Sequence, residues 1–381
     1  MNRKTLRSTC VLIMLLSCLL LPSRATQDPG AVEWIVDDDG PADFHSIQEA
    51  IDAAKMGDTI YVKMGTYREN LVVNKTVSVV GENKENTVIS AMLRHNRGPI
   101  WLKADNVDIT GFTVHFQSSS YYTSCIFVDH SKGNNISHNR LISGDVGIHL
   151  QSSDSNVLAN NEAKGNHLIC ISLQNSSSNI VANNSCSYFI DAIGILVTES
   201  SNSNFVAGNN LSLLHVGIKL EDSCNNSISE NSASMNDCGI SLHGSCTNNT
   251  IVKNKVSRNA CGVEIDLDFT GVNLIYGNEF TENTVQAQVL KGSVNLDKGY
   301  PTGGNYWSDY TDEDLYNGQF QNETGRDGIF DHPYVIDEDN VDYYPIVPEF
   351  PTNTSIFFLL IVFTAVTVIY RRRFGKPGLL S

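Results

Sequence analysis

The most constraining feature of the sequence is a short apolar motif that recurs about every 23 residues. Each copy has Gly or Cys, an apolar residue, any residue, and a second apolar residue. The copies read CIFV at 125, GIHL at 147, CISL at 170, GILV at 194, GIKL at 217, GISL at 239 and GVEI at 262. The steps between them are 22, 23, 24, 23, 22 and 23 residues. So regular a period predicts a solenoid, in which each coil packs on its neighbours.

A second, asparagine-rich pattern runs in phase with the first. Its copies read NNISHN, NVLANN, NIVANN, NFVAGNN, NNSISEN, NNTIVKN and NLIYGN. Each repeat therefore holds two or three short strands separated by Asn, Ser and Gly turns, with no room for an amphipathic helix. We predict an all-β fold, a right-handed parallel β-helix of roughly ten rungs whose apolar residues stack inside. The asparagines should stack as well, with side-chain amides bonded from rung to rung.

The segment before the repeats predicts a cap for the solenoid. In SIQEAIDAA at 46–54, Ser46 and Glu49 form a capping box, and the apolar positions give a helical face that covers the first rung. Over the 381 residues we predict seven segments. They are a signal peptide at 1–26, an N-terminal strand and capping helix at 27–57, the repeats at 58–294, an aromatic and acidic C-terminal cap at 295–347, a linker at 348–355, a transmembrane anchor at 356–370 and a basic cytoplasmic tail at 371–381.

The two ends of the chain predict export and membrane anchoring. Arg3, Lys4 and Arg7 precede an apolar run at 11–21, and the apolar run at 356–370 is followed by three arginines. These end segments hold eight of the 26 basic residues and none of the 42 acidic ones, so the exported part carries a net charge of about −24. Such a surface repels nucleic acid, and we expect no nucleic-acid partner.

Cysteines and glycosylation sequons leave alternatives open. Cys224 and Cys246 occupy matching repeat positions in this alignment, as do Cys238 and Cys261. Each pair is compatible with a disulfide or with small buried side chains. Sequons that would make an exported chain a glycoprotein begin at residues 74, 135, 175, 183, 210, 225, 248, 322 and 353. Asn- and Ser-rich turns also produce such triplets by chance, so their occupancy stays open.

The repeat places two columns of side chains on one outer surface. In G-I-x-L the apolar residues point inward, so x and the residue after L point outward. The first column reads His149, Ser172, Leu196, Lys219, Ser241 and Glu264. The second reads Gln151, Gln174, Thr198, Glu221, His243 and Asp266. For binding of a cell-surface or extracellular polysaccharide, the candidate residues are His149, Gln151, Lys219 and Glu264.

Three interpretations of the acidic end of these columns stay open. Glu221, His243 and Asp266 should stand on successive rungs about 4.8 Å apart. As a catalytic set, Glu221 with Asp266 or Glu264 would flank a glycosidic bond, or His243 would abstract a proton. As a calcium site, Glu264, Asp266 and Asp268 would bind the ion together with Glu221. Otherwise the surface is a solvated face with no site.

A second calcium hypothesis concerns the acidic C-terminal segment. TDEDLYNG and GRDGIFDHP place four aspartates among glycines, at spacings typical of loops that supply oxygen ligands. These are Asp312, Asp314, Asp327 and Asp331.

Several stretches resemble a known family. WIVDDDGPADFHSIQEAIDAAKMGDTIYV, the repeats, GGNYWSDY, DGIFDHPYVID and DYYPIV together resemble the NosD-like right-handed β-helix proteins over roughly 33–347. These are also described as CASH-type domains of carbohydrate-binding proteins and sugar hydrolases. PEFP followed by an apolar run and arginines resembles the PEF-type sorting signal of archaeal surface proteins. The resemblance implies a glycan-related role at an archaeal cell surface.

The same resemblance implies copper, because the family takes its name from a periplasmic protein associated with copper-site maturation in nitrous oxide reductase. The histidines of this chain are scattered and its methionines mostly solitary, so no copper motif is visible. We therefore favour a noncatalytic glycan-binding protein or envelope scaffold, because no complete catalytic set is visible. A polysaccharide hydrolase, lyase or epimerase is the second hypothesis, and a copper-binding or maturation protein is the third.

Overall fold

The chain winds into a parallel β-helix. The structure is a computed structural model that describes residues 30–91, 97–116, 123–268 and 272–348. Each short strand pairs in parallel with the equivalent strand one coil later, as Ile148 does with Ile171 and Ile218 with Ile240. One interior row therefore contains the middle isoleucines of successive motifs, all with no exposed surface. The predicted fold class is confirmed.

Three faces surround this interior, which we call faces 1, 2 and 3. Face 1 is an 11-stranded sheet. Its strands are Glu33–Val36, Thr59–Val62, Ser78–Gly81, Asp108–Thr110, Asn135–Ser137, Val157–Ala159, Ile180–Ala182, Phe205–Ala207, Ser227–Ser229, Thr250–Val252 and Leu274–Tyr276.

Faces 2 and 3 share two long strands, Ser185–Thr198 and Asn210–Glu221, whose first residues pair in face 2 and last residues in face 3. The other strands of face 2 are Gly65–Tyr67, Thr87–Ala91, Thr113–Phe116, Arg140–Ile142, Glu162–Lys164, Ser232–Ser234, Lys255–Ser257, Glu279–Thr281 and Tyr306–Trp307. The other strands of face 3 are Leu71–Val73, Ile100–Leu102, Ser124–Asp129, Val146–Gln151, Ile169–Gln174, Cys238–Gly244, Cys261–Leu267 and Val285–Lys291.

Two ladders of buried asparagines run along the coil from Asn134 to Asn305, as the sequence predicts, whereas Val107 and Phe112 take the equivalent positions one coil earlier. They stand just before the strands of face 1 and of face 2. The first contains Asn134, Asn156, Asn179, Asn204, Asn226, Asn249 and Asn273. The second contains Asn139, Asn161, Asn184, Asn209, Asn231, Asn254, Asn278 and Asn305. Each amide satisfies buried polar groups of the turns, which the solvent cannot reach.

A helix, α1 (Ile47–Ala53), covers the first rung with its buried residues Ile47, Ala50 and Ile51. Ser46 is its N-cap, and the Ser46 Oγ accepts a hydrogen bond from the Glu49 amide at 3.3 Å. The predicted helix and its Ser46 N-cap are confirmed, but the return bond from the Ser46 amide to the Glu49 carboxylate, which would complete the predicted capping box, is not formed.

The helix start is completed by a residue that the sequence did not identify. The Glu69 carboxylate accepts hydrogen bonds from the Ser46 hydroxyl at 2.7 Å and from the Ile47 and Gln48 amides at 2.9 Å each. A carboxylate at this position satisfies the free amides of the first turn and complements the helix dipole.

The C-terminal end of the coil is covered by aromatic side chains. The Trp307 ring stacks between those of Phe280 and Tyr334, with centroids 4.6 Å apart on each side. Two short antiparallel pairs build the surrounding structure: Tyr316–Asn317 with Glu323–Thr324, and Tyr334–Val335 with Val341–Asp342.

The seven cysteines in the described residues are free thiols. Cys238 and Cys261 are register partners, as the repeat predicts. The matching of Cys224 with Cys246 is wrong by one position, because Cys224 and Thr247 each lie two residues before paired ladder asparagines, and the Thr247 hydroxyl donates to the Cys224 sulfur at 3.3 Å.

The predicted signal peptide at 1–26, the anchor at 356–370 and the basic tail lie outside the described residues. So does nearly all of the predicted linker and PEF-type segment. Within the described ranges, no helix is long and apolar enough to cross a bilayer.

Candidate functional site

Face 3 carries the two predicted columns on its outer surface. His149 lies opposite Ser172, which lies opposite Leu196, and the column continues through Lys219 and Ser241 to Glu264. In the second column, Glu221 lies opposite His243, and His243 opposite Asp266. Each coil therefore adds one side chain to each column.

A third outer column, which the sequence did not reveal, is apolar. It is formed by the residue immediately before each motif from GIHL onward, and the equivalent residue before CIFV is Ser124. Its members are Val146, Ile169, Ile193, Val216, Cys238 and Cys261. Val216, Cys238 and Cys261 pack with Ile193 in a cluster separate from the interior core. The outer surface of face 3 thus has an apolar edge, a mixed middle column and a polar edge.

Where these columns meet, they form a hollow of about 360 Å³, which we call the groove. Its apolar side is Val146 and Ile169, and its floor is His149, Ser172 and Leu196. The polar side and the two ends are lined by Gln174, Thr198, Glu199, Glu221, Arg97 and Phe127.

Hydrogen bonds fix the polar side of the groove. His149 Nε2 lies 3.0 Å from the Gln174 side-chain oxygen, and the Gln174 amide nitrogen donates to Glu199 at 2.7 Å. Burial lowers the pKa of His149, which keeps its imidazole neutral at pH 7. Because the Gln174 oxygen only accepts, His149 Nε2 carries the proton and Nδ1 is the acceptor.

Glu221 joins the groove to the acidic end of face 3. Its carboxylate lies 3.1 Å from Lys219 Nζ, 3.5 Å from His243 Nδ1 and 3.4 Å from the Thr198 hydroxyl. His243 Nε2 lies 3.3 Å from the Asp266 carboxylate. Glu221, His243 and Asp266, which the repeat spacing predicts to be neighbours, are therefore in contact. The partly exposed imidazole of His243 lies between the two carboxylates.

The other end of the groove is aromatic and basic. Phe127 and Trp101 continue the column of His149 toward the N-terminus. The Arg97 guanidinium lies 4.6 Å from the Phe127 ring centroid, and Lys103 Nζ lies 4.4 Å from that of Trp101. Phe127 occupies the third, variable position of CIFV, as His149 does in GIHL. Its place in the same column could therefore have been predicted from the repeat.

A family model described as "Periplasmic copper-binding protein (NosD)" matches residues 48–215 and 170–312. The chain belongs to the NosD family. No curated protein matches this NosD-family chain.

Solved structures share the fold at low sequence identity. The enzymatically active domain of tailspike protein 2 from Bacteriophage CBA120 is 12% identical with a TM-score of 0.54, over 73% of this chain and 48% of that one. The catalytic domain of a GH87 alpha-1,3-glucanase is 12% identical with a TM-score of 0.49, over 73% and 60% of the two chains. The Azotobacter vinelandii mannuronan C-5 epimerase AlgE6 A-module is 15% identical with a TM-score of 0.44, over 65% and 94%. At 12% identity, the similarity to the tailspike domain shows a shared fold alone.

Other predicted site residues of this NosD-family chain lie on face 3 outside the groove lining. They are Gln151, Lys219, Glu264, His243, Asp266 and Asp268. Glu264 accepts from the Ser241 hydroxyl at 3.3 Å, and Asp268 pairs with Lys291 at 2.9 Å. Alternate residues of a strand stand about 6.6 Å apart, which spreads Glu264, Asp266 and Asp268 along the surface. The structure does not support calcium at this strand.

The four aspartates of the C-terminal cap bind backbone amides. Asp331 accepts from the Leu315 and Tyr316 amides, and Asp314 from those of Asp327 and Gly328. Asp312 accepts from the His332 amide, and Asp327 from the Ile329 amide two residues on. Calcium in the cap is therefore unsupported as well, because these carboxylates already accept from backbone amides, most of them in other segments of the cap.

The family description implies copper, and the side-chain donor atoms show whether the described residues suit that metal. Among the described residues, the one group of three or more His, Cys, Asp or Glu side chains able to share an ion is Asp37, Asp38 and Asp39. Copper prefers nitrogen and sulfur donors, so this oxygen-only group does not fit it. Cys238 and Cys261 are register partners on face 3, but both are buried, and each thiol donates to a backbone carbonyl of its own strand.

Proposed function

We propose that this NosD-family protein is exported and binds a polysaccharide in the groove, with the sugar chain running along the axis of the β-helix. The observation that carries this proposal is the amphipathic lining of the groove, which is repeated from coil to coil. An apolar side formed by Val146 and Ile169 faces a polar side formed by Gln174, Thr198 and Glu221.

Pyranose rings match such a lining because they present C–H groups on their faces and hydroxyls at their edges. The apolar side removes the ring faces from water, while the amide, hydroxyl and carboxylate groups exchange hydrogen bonds with the hydroxyls. Equivalent side chains recur about every 4.8 Å along the axis, so successive sugar units meet successive coils.

The charges favour a neutral polysaccharide. The groove lining carries charges of both signs, with Arg97 at one end and Glu199 and Glu221 along its polar side. The whole chain has a formal net charge of −16, which repels polyanions at long range. A neutral glycan avoids this repulsion and still uses both sides of the groove.

The test is a glycan array probed with the labelled chain, followed by calorimetry on the glycans that it retains. Gln174→Ala and Glu221→Gln should each weaken binding by about tenfold, since a lost hydrogen bond to a bound ligand is worth about 1.5 kcal/mol. Glu279→Gln is the matched control, because Glu279 also pairs with a lysine, Lys255, but lies on face 2. Equal affinity of all four proteins would contradict the proposal.

A second candidate function rests on the Glu221, His243 and Asp266 contacts of 3.5 and 3.3 Å. An imidazole oriented by a carboxylate is a competent general base or acid, so this end of the face could act on the sugar bound beside it. Product analysis separates the two functions. New reducing ends or unsaturated sugars that disappear in His243→Gln, with binding retained, would establish an enzyme. Binding by the wild type without products supports binding alone.

A further inference from the structure

The outer surface of face 1 is almost free of charge. Its last seven strands, from Asn135–Ser137 to Leu274–Tyr276, have three residues each, of which the middle one is buried in the core and the other two point outward. None of the outward residues of these described strands is charged, and the nearest charged one is Asp108, one coil earlier. Over the same coils, face 2 presents Glu162 and face 3 presents Lys219. Depletion of charge is typical of the core of a protein interface.

A raised apolar row and a lower alanine row lie side by side in the middle of this surface. The first residues of three successive strands form the raised row, and they are the half-buried Val157, Ile180 and Phe205. The third residues form the lower row, are at most 5% exposed and lie outside the interior core: Ala159, Ala182 and Ala207. The two rows stand about 6.6 Å apart, because they are two residues apart along each strand. The surface therefore has the shape of a step that runs along the coil.

The fold itself does not require this composition. The interior is filled by the middle residues of the same strands, Leu158, Val181 and Val206, which have no exposed surface. The preference of strands for Val, Ile and Phe acts equally on faces 2 and 3, where outward positions carry charged residues. The uncharged step of face 1 therefore indicates contact with another molecule.

We propose that face 1 is a dimer interface, in which two copies of the chain pack face 1 against face 1 with their coils parallel. A two-fold axis along the coil, midway between the two rows, places the raised row of each copy opposite the lower row of the other. Ile180 then lies opposite Ala182 of the second copy, and the same operation brings Leu274 opposite Tyr276. The surface is self-complementary, as a two-fold interface must be. Packing the copies end to end would instead bring the two raised rows together.

The face is large enough for a weak specific dimer. Its eleven strands, about 4.8 Å apart and about 10 Å long, cover on the order of 500 Å² per copy and 1,000 Å² per dimer. Interfaces of this size are at the lower end of specific association, and we expect a dissociation constant on the order of 10 µM. The formal net charge of −16 on each chain opposes association, so added salt should strengthen the dimer. The groove on face 3 stays free, and the proposal is independent of glycan binding.

Sedimentation velocity of the full chain, in one nonionic detergent throughout and from about 1 to about 100 µM, tests the dimer. The wild type should pass from monomer to dimer over this range. Ile180→Glu buries an unpaired charge in the interface and should weaken association at least about tenfold. Ile142→Glu is the matched control, because Ile142 is a half-buried outward isoleucine of face 2 that lies opposite Lys164. A wild type that stays monomeric, or equal association of the two variants, would overturn the proposal.

Cross-linking tests the parallel arrangement without adding charge. In a Cys224→Ser background, which removes the half-buried thiol, Ile180→Cys mixed with Ala182→Cys should react with a short bismaleimide faster than either variant alone. Circular dichroism melting of each variant confirms that it is folded. Fastest cross-linking of Ile180→Cys with itself would contradict the parallel dimer. A monomer whose glycan binding is lost in Ile180→Glu would assign face 1 to a polysaccharide and overturn the dimer.

Discussion

At the scale of single residues, one buried aspartate stabilises the C-terminal end of this β-helix. Asp342 in the C-terminal cap accepts hydrogen bonds from the Asn305 amide at 2.7 Å, the Trp307 indole at 2.9 Å and the Tyr344 amide at 3.2 Å. Burial nevertheless raises the pKa of Asp342 to about 7. The cap therefore contains a carboxyl group that takes up a proton near neutral pH.

This shift predicts a pH dependence of stability. The pKa of an unfolded aspartate is about 3.9, so between roughly pH 4 and pH 7 the folded state holds a proton that the unfolded state has lost. The resulting stabilisation is fully present below about pH 4 and is lost as the pH rises through about 7. Asp342→Asn should remove this component, which melting temperatures of both proteins from pH 4 to pH 8 will show. Asp339→Asn, at an exposed position of the cap, is the control, and a wild-type profile parallel to that of Asp342→Asn would contradict the assignment.

Residues in regular repeats were predictable, and residues in irregular coils were not. The contact of Glu221, His243 and Asp266 follows from counting 22 and 23 residues along the chain. Trp101 lies 26 residues before its partner Phe127, outside the regular steps, so its place on the same face was missed. The apolar outer column was also missed. In a regular strand, residues two positions apart point the same way, so the residue before each motif was expected to point inward with the isoleucine two positions later.

At the scale of elements, the asparagine ladders hold the turns of successive coils in register. The Asn231 oxygen accepts from both the amide and the side-chain nitrogen of Asn209 at 2.9 Å, while its own nitrogen donates to Val206 O and to Asn254. The residue is 1% exposed, so its partners have no solvent to replace it.

Removing one rung of a ladder should therefore be costly. Asn231→Ala leaves the Asn209 donors and the Val206 carbonyl without their partner, and we expect a loss of about 2–4 kcal/mol in the free energy of unfolding. Asn210→Ala, at an exposed asparagine of the preceding coil, should change it by less than about 0.5 kcal/mol. Urea unfolding at constant pH measures both. Similar values for the two variants would show that the ladder contributes little.

Helix α1 shows what sequence patterns at element scale can and cannot give. Its position and its Ser46 cap follow from local spacing, and both are observed. The contribution of Glu69 was not predictable, because it comes from a residue more than 20 positions away that the coil brings back to the helix start. Local signals identify elements, whereas contacts between coils require the register.

At the scale of the whole molecule, the β-helix turns a linear repeat into a continuous surface. The strands of each coil pair with those of the adjacent coils, so the same stacking that builds the interior row also aligns the apolar, mixed and polar columns of face 3. The glycan proposal depends on this continuity and on the groove that it produces between His149 and Glu221.

A crystal structure of the chain bound to a glycan selected on the array tests this account most directly. We predict sugar rings in line with the β-helix axis, with ring faces against Ile169 and Leu196 and hydroxyls bonded to Gln174 and Glu221. Sugar bound across the coils, or at the C-terminal cap with the groove of face 3 empty, would contradict it.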